Sequence, residues 1–119
     1  MSLGKYIAFE GLEGCGKSTH VKRLATRLNA VMTREPGGTV VGSMLRNILI
    51  DPANTNLSPR AEALMMAADR AQHIAELISP SLAAGRCCCG CCAGCSAVML
   101  GAGALDVDER SALLGAGAA

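Results

Sequence analysis

Apolar positions follow two periods along the first 86 residues, and beyond them the pattern stops. Tyr6-Ile7-Ala8-Phe9 is a short apolar run bounded by Lys5 and Glu10, which reads as a strand. Val21, Leu24, Ala25 and Leu28 recur at helical spacing and predict an amphipathic helix beginning near Lys17. Ala30-Val31-Met32-Thr33 reads as a second short strand. Arg34 to Thr39 holds a proline and two adjacent glycines, which stop strand and helix alike, so a loop is expected there. Val41, Met44, Leu45, Ile48 and Leu49 return to helical spacing and end at Asp51-Pro52. After a polar, turn-rich stretch to Leu57, Ser58-Pro59 opens a third helix. Serine caps the first-turn amides and proline suits the first helical position. This helix is expected to run to about Ile78, with Pro80 and Gly85 closing the segment.

The third helix has two faces. Leu64, Ala67, Ala68, Ala71, Ile74, Ala75 and Ile78 form a broad stripe of apolar and small residues, read as the core-facing side. Met66, Arg70 and His73 share another face at i, i+4, i+7. By periodicity alone Arg70 is a solvated charge beside Asp69 and Glu76, His73 a surface residue and Met66 a packing residue.

Candidate chemistry enters between the first strand and the first helix. Gly11-Leu12-Glu13-Gly14-Cys15-Gly16-Lys17-Ser18 fits the phosphate-loop pattern G-x-x-x-x-G-K-S/T at every constrained position. A strand before it and a helix after it are the context this pattern requires; the alternative is a chance glycine turn. Glycines let the backbone turn tightly and present amides without side-chain obstruction. The helix N-terminus aims unpaired N–H groups and the positive end of its dipole at an anion. In that role Lys17 reaches the β- and γ-phosphates and the Ser18 hydroxyl ligates Mg²⁺.

Length and charge narrow the picture slightly. The 119 residues suffice for one modest domain and not for two. A net charge of +1 gives no electrostatic case for a nucleic-acid partner. The longest late apolar run, Ala97 to Leu105, is broken by Gly101 and Gly103 and is too short to span a membrane. With no leader ahead of the first strand, a cytoplasmic protein without nucleic-acid or membrane partners is expected.

These residues together resemble bacterial thymidylate kinases (dTMP kinases) over residues 3–86. The match is carried by Phe9-Glu10-Gly11-Leu12-Glu13-Gly14-Cys15-Gly16-Lys17-Ser18-Thr19 and by the Thr-Arg-Glu-Pro-Gly-Gly-Thr loop of residues 33–39. It continues through Ser58-Pro59-Arg60-Ala61-Glu62-Ala63-Leu64 and Ala67-Ala68-Asp69-Arg70-Ala71-Gln72-His73. The phosphate loop alone would fit many NTPases; the other segments at these separations are far more specific. The resemblance implies an α/β fold of the P-loop NTPase type, like that of nucleoside monophosphate kinases, with a parallel sheet and flanking helices. It implies phosphorylation of dTMP to dTDP with ATP and Mg²⁺. Gly11, Glu13, Gly14, Cys15, Gly16, Lys17, Ser18 and Thr19 would then serve the ATP phosphates, with Lys17 the catalytic cation and Ser18 the Mg²⁺ ligand. Glu13 would also lie near the acceptor's 3′-hydroxyl, and Arg70 would hydrogen-bond the thymine ring, which replaces the solvated-charge reading. Arg34 and Pro36 would line the acceptor pocket, and Arg46 would meet the acceptor phosphate through a bidentate guanidinium. The family also dimerises, with the third helix a contributor.

Two departures accompany the resemblance. Met66 stands where the family has a phenylalanine stacked on thymine; a thioether can pack on a ring face, so altered base affinity is expected. The second begins at Cys87. There the family has an apolar strand ending in Asp-Arg-Tyr or Asp-Arg-His, and later a lid and an adenine-binding loop. Here all but four charged residues precede residue 87, and six of seven cysteines crowd Cys87, Cys88, Cys89, Cys91, Cys92 and Cys95. Three readings compete: a zinc site on C-x-x-C spacing, which lacks a second knuckle; disulfides, which a cytoplasmic fold disfavours; and a shifted coding frame, which the abrupt compositional change favours. On the last reading residues 1–86 are the N-terminal part of a kinase domain and 87–119 a Cys/Gly/Ala-rich tail foreign to it. The fold is then incomplete, lacking the strand between the first two, and the alternative function is a catalytically dead remnant with residual phosphate binding.

Overall fold

The structure, a computed structural model, describes residues 3–12 and 14–92. Strand β1 (Tyr6–Phe9) leads through the glycine-rich loop into helix α1 (Lys17–Leu28), and β2 (Val31–Glu35) leads through a second loop into α2 (Val40–Ile50). Helix α3 (Pro59–His73) continues through a π-helical turn at Ile74–Ile78 into the short α4 (Ser79–Ala83), and β3 (Cys88–Cys92) follows. The expected third helix is therefore present but stops being α-helical at His73, where the wider turn takes over. Its start is as the sequence predicts: the Ser58 hydroxyl accepts from the Ala61 amide at 3.2 Å, and Pro59 occupies the first turn.

The three strands form one parallel sheet in the order β1-β3-β2. The central position, which the sequence reading leaves empty, is filled by residues 88–92 of the cysteine tract. Cys88 lies opposite both Tyr6 and Val31, and Cys91 opposite both Phe9 and Arg34. The physical reason is size and polarity. A strand flanked on both edges and covered on both faces needs small or apolar side chains, and a free thiol behaves as a small hydrophobe. Residues 87–92 thus lie with the sheet, while Ala93 to Ala119, with Cys95 and the late apolar run, lie outside the described residues.

Alternation along the sheet separates two faces. Cys89 packs with Val21 and Ala25 of α1 in the buried core, joined by Ile7, Phe9, Leu24, Ala30 and Cys91. The other face carries Tyr6, Cys88, Gly90 and Thr33. A side chain on Gly90 would meet the Tyr6 hydroxyl at 2.5 Å, so its lack of a Cβ makes room for that ring.

Helix α3 reverses the face expected of it. Leu64 is 63 % exposed, Ala67, Ala68, Ala71 and Ala75 face solvent, and Ile78 is the one stripe member fully buried. Asp69 and His73 point inward instead. Leu64 and the alanines gain only a non-directional term from burial, whereas Asp69 and His73 have specific hydrogen-bond partners on β2 and the loop after it. On α2, Val40, Val41, Met44, Ile48 and Ile50 are likewise exposed. No helix among the described residues is long and apolar enough to cross a membrane.

Burial pushes the Cys88 and Cys89 thiols above their ordinary range. We therefore expect a thiol reagent to modify exposed Cys15 rapidly and Cys88 and Cys89 only on unfolding, as mapped by mass spectrometry. Cys89→Ser should lower stability by about 1–2 kcal/mol, read from the denaturant midpoint, because it buries a hydroxyl among apolar side chains.

Candidate active site

Both segments that carry the sequence motifs leave the same edge of the sheet. In a parallel sheet, the turns following β1 and β2 emerge at the carboxyl ends of the strands, where open α/β folds bind ligands. Only β3 separates the two strands, so the turns start about 10 Å apart.

The first turn is the glycine-rich loop. Gly14 and Gly16 have φ of 78° and 86°, left-handed values at which an L side chain is strained. Gly16 is the N-cap of α1 and has no side chain to accept from the first-turn amides, so no side chain of its own caps these donors. The Lys17 ammonium folds over the loop and donates to the carbonyl oxygens of Gly11 and Leu12, the latter at 2.7 Å. Cys15 Sγ lies 3.9 Å from the same nitrogen. Ser18 and Thr19 are exposed on the first turn of α1. Glu13 lies outside the described residues.

The second turn joins a buried polar network built on β2 and α3. Thr33 and Glu35, two apart on the strand, project from one face; Asp69 and His73, four apart on the helix, project back toward them. The Glu35 carboxylate is shared: Oε2 accepts from Arg70 Nε at 3.1 Å and Oε1 from His73 Nδ1 at 2.8 Å. His73 Nε2 meets Thr33 Oγ1 at 2.6 Å. Asp69 Oδ1 accepts from the Gly37 amide at 2.9 Å and so ties the loop to α3. Two glycines make this closeness feasible. A Cβ on Gly42 would lie 2.3 Å from Asp69 Oδ1, and one on Gly38 would lie 2.7 Å from the His73 ring. Among the described residues no buried side-chain nitrogen or oxygen lacks a partner.

Burial raises the Glu35 carboxyl, but hydrogen bonds from His73 and Arg70 and the Arg70 charge outweigh it and hold the group below its ordinary value. Because the ionised carboxylate can only accept, Nδ1 of His73 carries the proton of that bond.

The sequence-derived residues are distributed as follows. Arg34 Nε reaches the Gly37 carbonyl and Arg46 Nη1 the Pro36 carbonyl, each at 3.4 Å, so Arg34, Pro36 and Arg46 gather at the loop after β2. Arg70 joins them through Glu35, and Met66 sits half-buried one turn earlier on α3. Gly11, Gly14, Cys15, Gly16, Lys17, Ser18 and Thr19 form the other turn. Among the described residues Arg70 is the one Lys or Arg in a salt bridge, and it is held by Glu35. Lys17, Arg34 and Arg46 donate to neutral carbonyls, and among the described residues no carboxylate pairs with them, which suits an anionic ligand.

The sequence reading missed the network. It places His73 on the surface, whereas the ring is fully buried, and it assigns no role to Thr33, Glu35 or Asp69. The signal was present as period-two spacing of Thr33 and Glu35 against four-residue spacing of Asp69 and His73.

A parallel sheet with a glycine-rich loop at one strand end and a guanidinium anchored to a buried carboxylate at the next defines a nucleoside-monophosphate-kinase-like α/β protein. A family model described as thymidylate kinase matches residues 9–112, past Arg86 where the sequence resemblance stops. The chain belongs to the thymidylate kinase family. It is 51 % identical over 85 residues to the thymidylate kinase of Trichlorobacter lovleyi, covering 67 % of this chain and 40 % of that protein. The crystal structure of thymidylate kinase from Ehrlichia chaffeensis superposes with a TM-score of 0.68 at 35 % identity, covering 74 % of this chain and 50 % of that one. For thymidylate kinase from Candida albicans the TM-score is 0.64 at 25 % identity, over 78 % and 41 % of the two chains. The chain thus spans about two fifths of the length of the curated relatives it matches.

The Glu35 network gives a pH signature. A carboxyl held below its ordinary 4.5 contributes stability that is fully present above that pH and is lost as pH falls through the lower folded value. Glu35→Gln should flatten this acid limb of the unfolding curve. At neutral pH it should cost about 2–3 kcal/mol by denaturant titration, because it removes the charge partner of Arg70 and leaves one acceptor oxygen for two donors.

Proposed function

We propose that this chain carries the donor loop and the acceptor site of a dTMP kinase, which passes the γ-phosphoryl of ATP to dTMP and yields dTDP and ADP. The observation that carries this reading is the placement, at one sheet edge, of the Lys17 loop beside the Arg34–Arg46–Arg70 cluster, in a chain of the thymidylate kinase family. Phosphoryl transfer asks little covalent chemistry of a protein; it asks for positioning of two nucleotides and relief of their charge.

The residues divide by chemistry. The loop amides of Gly11 to Gly16, including Glu13 and Cys15, and those of Ser18 and Thr19 would donate to the ATP phosphates. Lys17 exchanges its carbonyl acceptors for phosphate oxygens, which are charged and therefore stronger partners. Mg²⁺ fits this end: it keeps most of its water and asks for one or two protein oxygens besides phosphate, and the Ser18 hydroxyl is one such donor. When bound, the ion neutralises charge on the β- and γ-phosphates. On the acceptor side Arg70 would donate to a thymine oxygen, Met66 pack on the ring face, Arg34 and Pro36 line the pocket and Arg46 meet the acceptor phosphate. Glu13 would also lie near the sugar hydroxyl.

The apolar outer faces of α2 and α3, with Val40, Met44, Ile48 and Leu64 exposed, support a homodimer through these helices. The absence of a membrane-length helix among the described residues is consistent with a cytoplasmic setting.

A second reading, nucleotide binding without turnover, is favoured by the sequence at the end of β3, where Cys92-Ala93-Gly94 stands in place of the Asp-Arg pair that the family resemblance implies. The two separate on whether dTDP forms from ATP and dTMP.

We expect Lys17→Ala to weaken binding of a non-hydrolysable ATP analogue by about tenfold or more while sparing dTMP. Arg70→Ala should do the reverse, weakening dTMP by about tenfold to a hundredfold in a calorimetric titration. Loss of the same ligand by both variants would contradict the assignment of donor and acceptor sides.

A further inference from the structure

The buried histidine is the group this reading leaves unused. His73 is fully buried, yet both its ring nitrogens are engaged: Nδ1 with Glu35 Oε1 at 2.8 Å and Nε2 with Thr33 Oγ1 at 2.6 Å. Gly38 packs its backbone directly against the ring, where any side chain would collide with Cδ2 and Nε2. The imidazole is therefore held on three sides, by β2, by α3 and by the loop between β2 and α2. Its one charged partner is the carboxylate that holds Arg70.

A glutamate carboxylate on three rotatable bonds can swing, and a guanidinium is a planar fork whose usefulness depends on its rotation. Glu35 has two oxygens and two partners. Fixing Oε1 on His73 fixes the plane of the carboxylate, and with it the position of Oε2, 3.1 Å from Arg70 Nε. Arg70 is 27 % exposed and Glu35 only 6 %, so the chain Thr33–His73–Glu35–Arg70 runs from buried hydroxyl to a guanidinium that solvent reaches.

We propose that His73 is a positioning residue of the acceptor site: through Glu35 it sets the rotation of the Arg70 fork, and thereby the discrimination of a planar pyrimidine carbonyl edge. This rests on the reading of Arg70 as the base-contacting residue. His73 itself touches no substrate.

Two conservative variants dissect the ring. Asparagine places its amide nitrogen near Nδ1, so His73→Asn keeps a donor for Glu35 and gives up Thr33. Glutamine places its amide nitrogen near Nε2, so His73→Gln keeps Thr33 and gives up Glu35. In the 119-residue chain, two quantities are read. The first is solvent exchange of the Arg70 Nε–H by nitrogen-edited NMR, assigned by its loss in Arg70→Lys. The second is affinity for dTMP against affinity for deoxyribose 5-phosphate, which shares the sugar and phosphate but has no base.

His73→Asn should keep both values within about twofold of the parent. His73→Gln should speed Nε–H exchange and weaken dTMP by about tenfold each, with deoxyribose 5-phosphate changed less than about twofold. Equal behaviour of the two variants, or equal loss of both ligands, makes His73 merely structural and overturns the proposal. If neither histidine variant folds, the parent chain decides it: slow solvent exchange of both the His73 Nδ1–H and the Arg70 Nε–H supports the chain of positioning, and free exchange at either one refutes it. A parent chain that binds dTMP no better than deoxyribose 5-phosphate overturns the acceptor reading, and the Nε–H exchange still reports separately on the positioning geometry.

Discussion

A single carboxylate ties the end of β2 to α3. Glu35 ends β2, lies almost wholly buried, and is shared between Arg70 and His73 of α3. Burying an ion is costly unless it is paired and its remaining lone pairs are satisfied. Both oxygens of Glu35 meet that condition, and the requirement in turn dictates where α3 sits, which of its faces turns inward and how close the loop of Gly37 and Gly38 must come. Glycines at 38 and 42 are consequences of that approach, since the helix side chains occupy the space a Cβ would need. A non-directional apolar stripe cannot compete with hydrogen bonds that have only one geometry. Leu64 and the neighbouring alanines are left on the outside for this reason.

The sheet sets the second constraint. Parallel order β1-β3-β2 places two strand ends at one edge with a single strand between them. The phosphate loop grows from one end and the arginine-lined loop from the other. A central strand of thiols and one glycine holds them apart. Its buried members are small, apolar enough for a doubly covered position and, with their pKa values raised, chemically quiet. Here the cysteines act as spacing and packing elements, and no metal-holding group of three or more His, Cys, Asp or Glu occurs among the described residues.

Electrostatics then separates two kinds of cation at these turns. The chain as a whole is nearly neutral, but among the described residues Arg70 is the one Lys or Arg at this edge in a salt bridge. Lys17, Arg34 and Arg46 rest on peptide carbonyls, weak partners that a phosphate outcompetes. Arg70 rests on a carboxylate and is held in orientation instead.

Much of this was legible in the chain itself. The glycine-rich loop, the amphipathic α1, the strand–loop–helix order and the Ser58-Pro59 helix start follow from local rules, because turns, caps and periodicity involve residues close in sequence. The clustering of Arg34, Pro36, Arg46 and Arg70 came from motif resemblance, and their geometry did not. Three things needed the tertiary structure. The seating of Cys88–Cys92 between β1 and β2 is a pairing of residues some fifty to eighty positions apart, and composition gives no sign of it. The inward turn of Asp69 and His73 depends on Thr33, Glu35 and Gly37 being brought within hydrogen-bonding distance. The burial of His73 depends on the same approach. Local sequence determines which element forms and which chemistry it carries; directional contacts between distant elements decide which face of it is used.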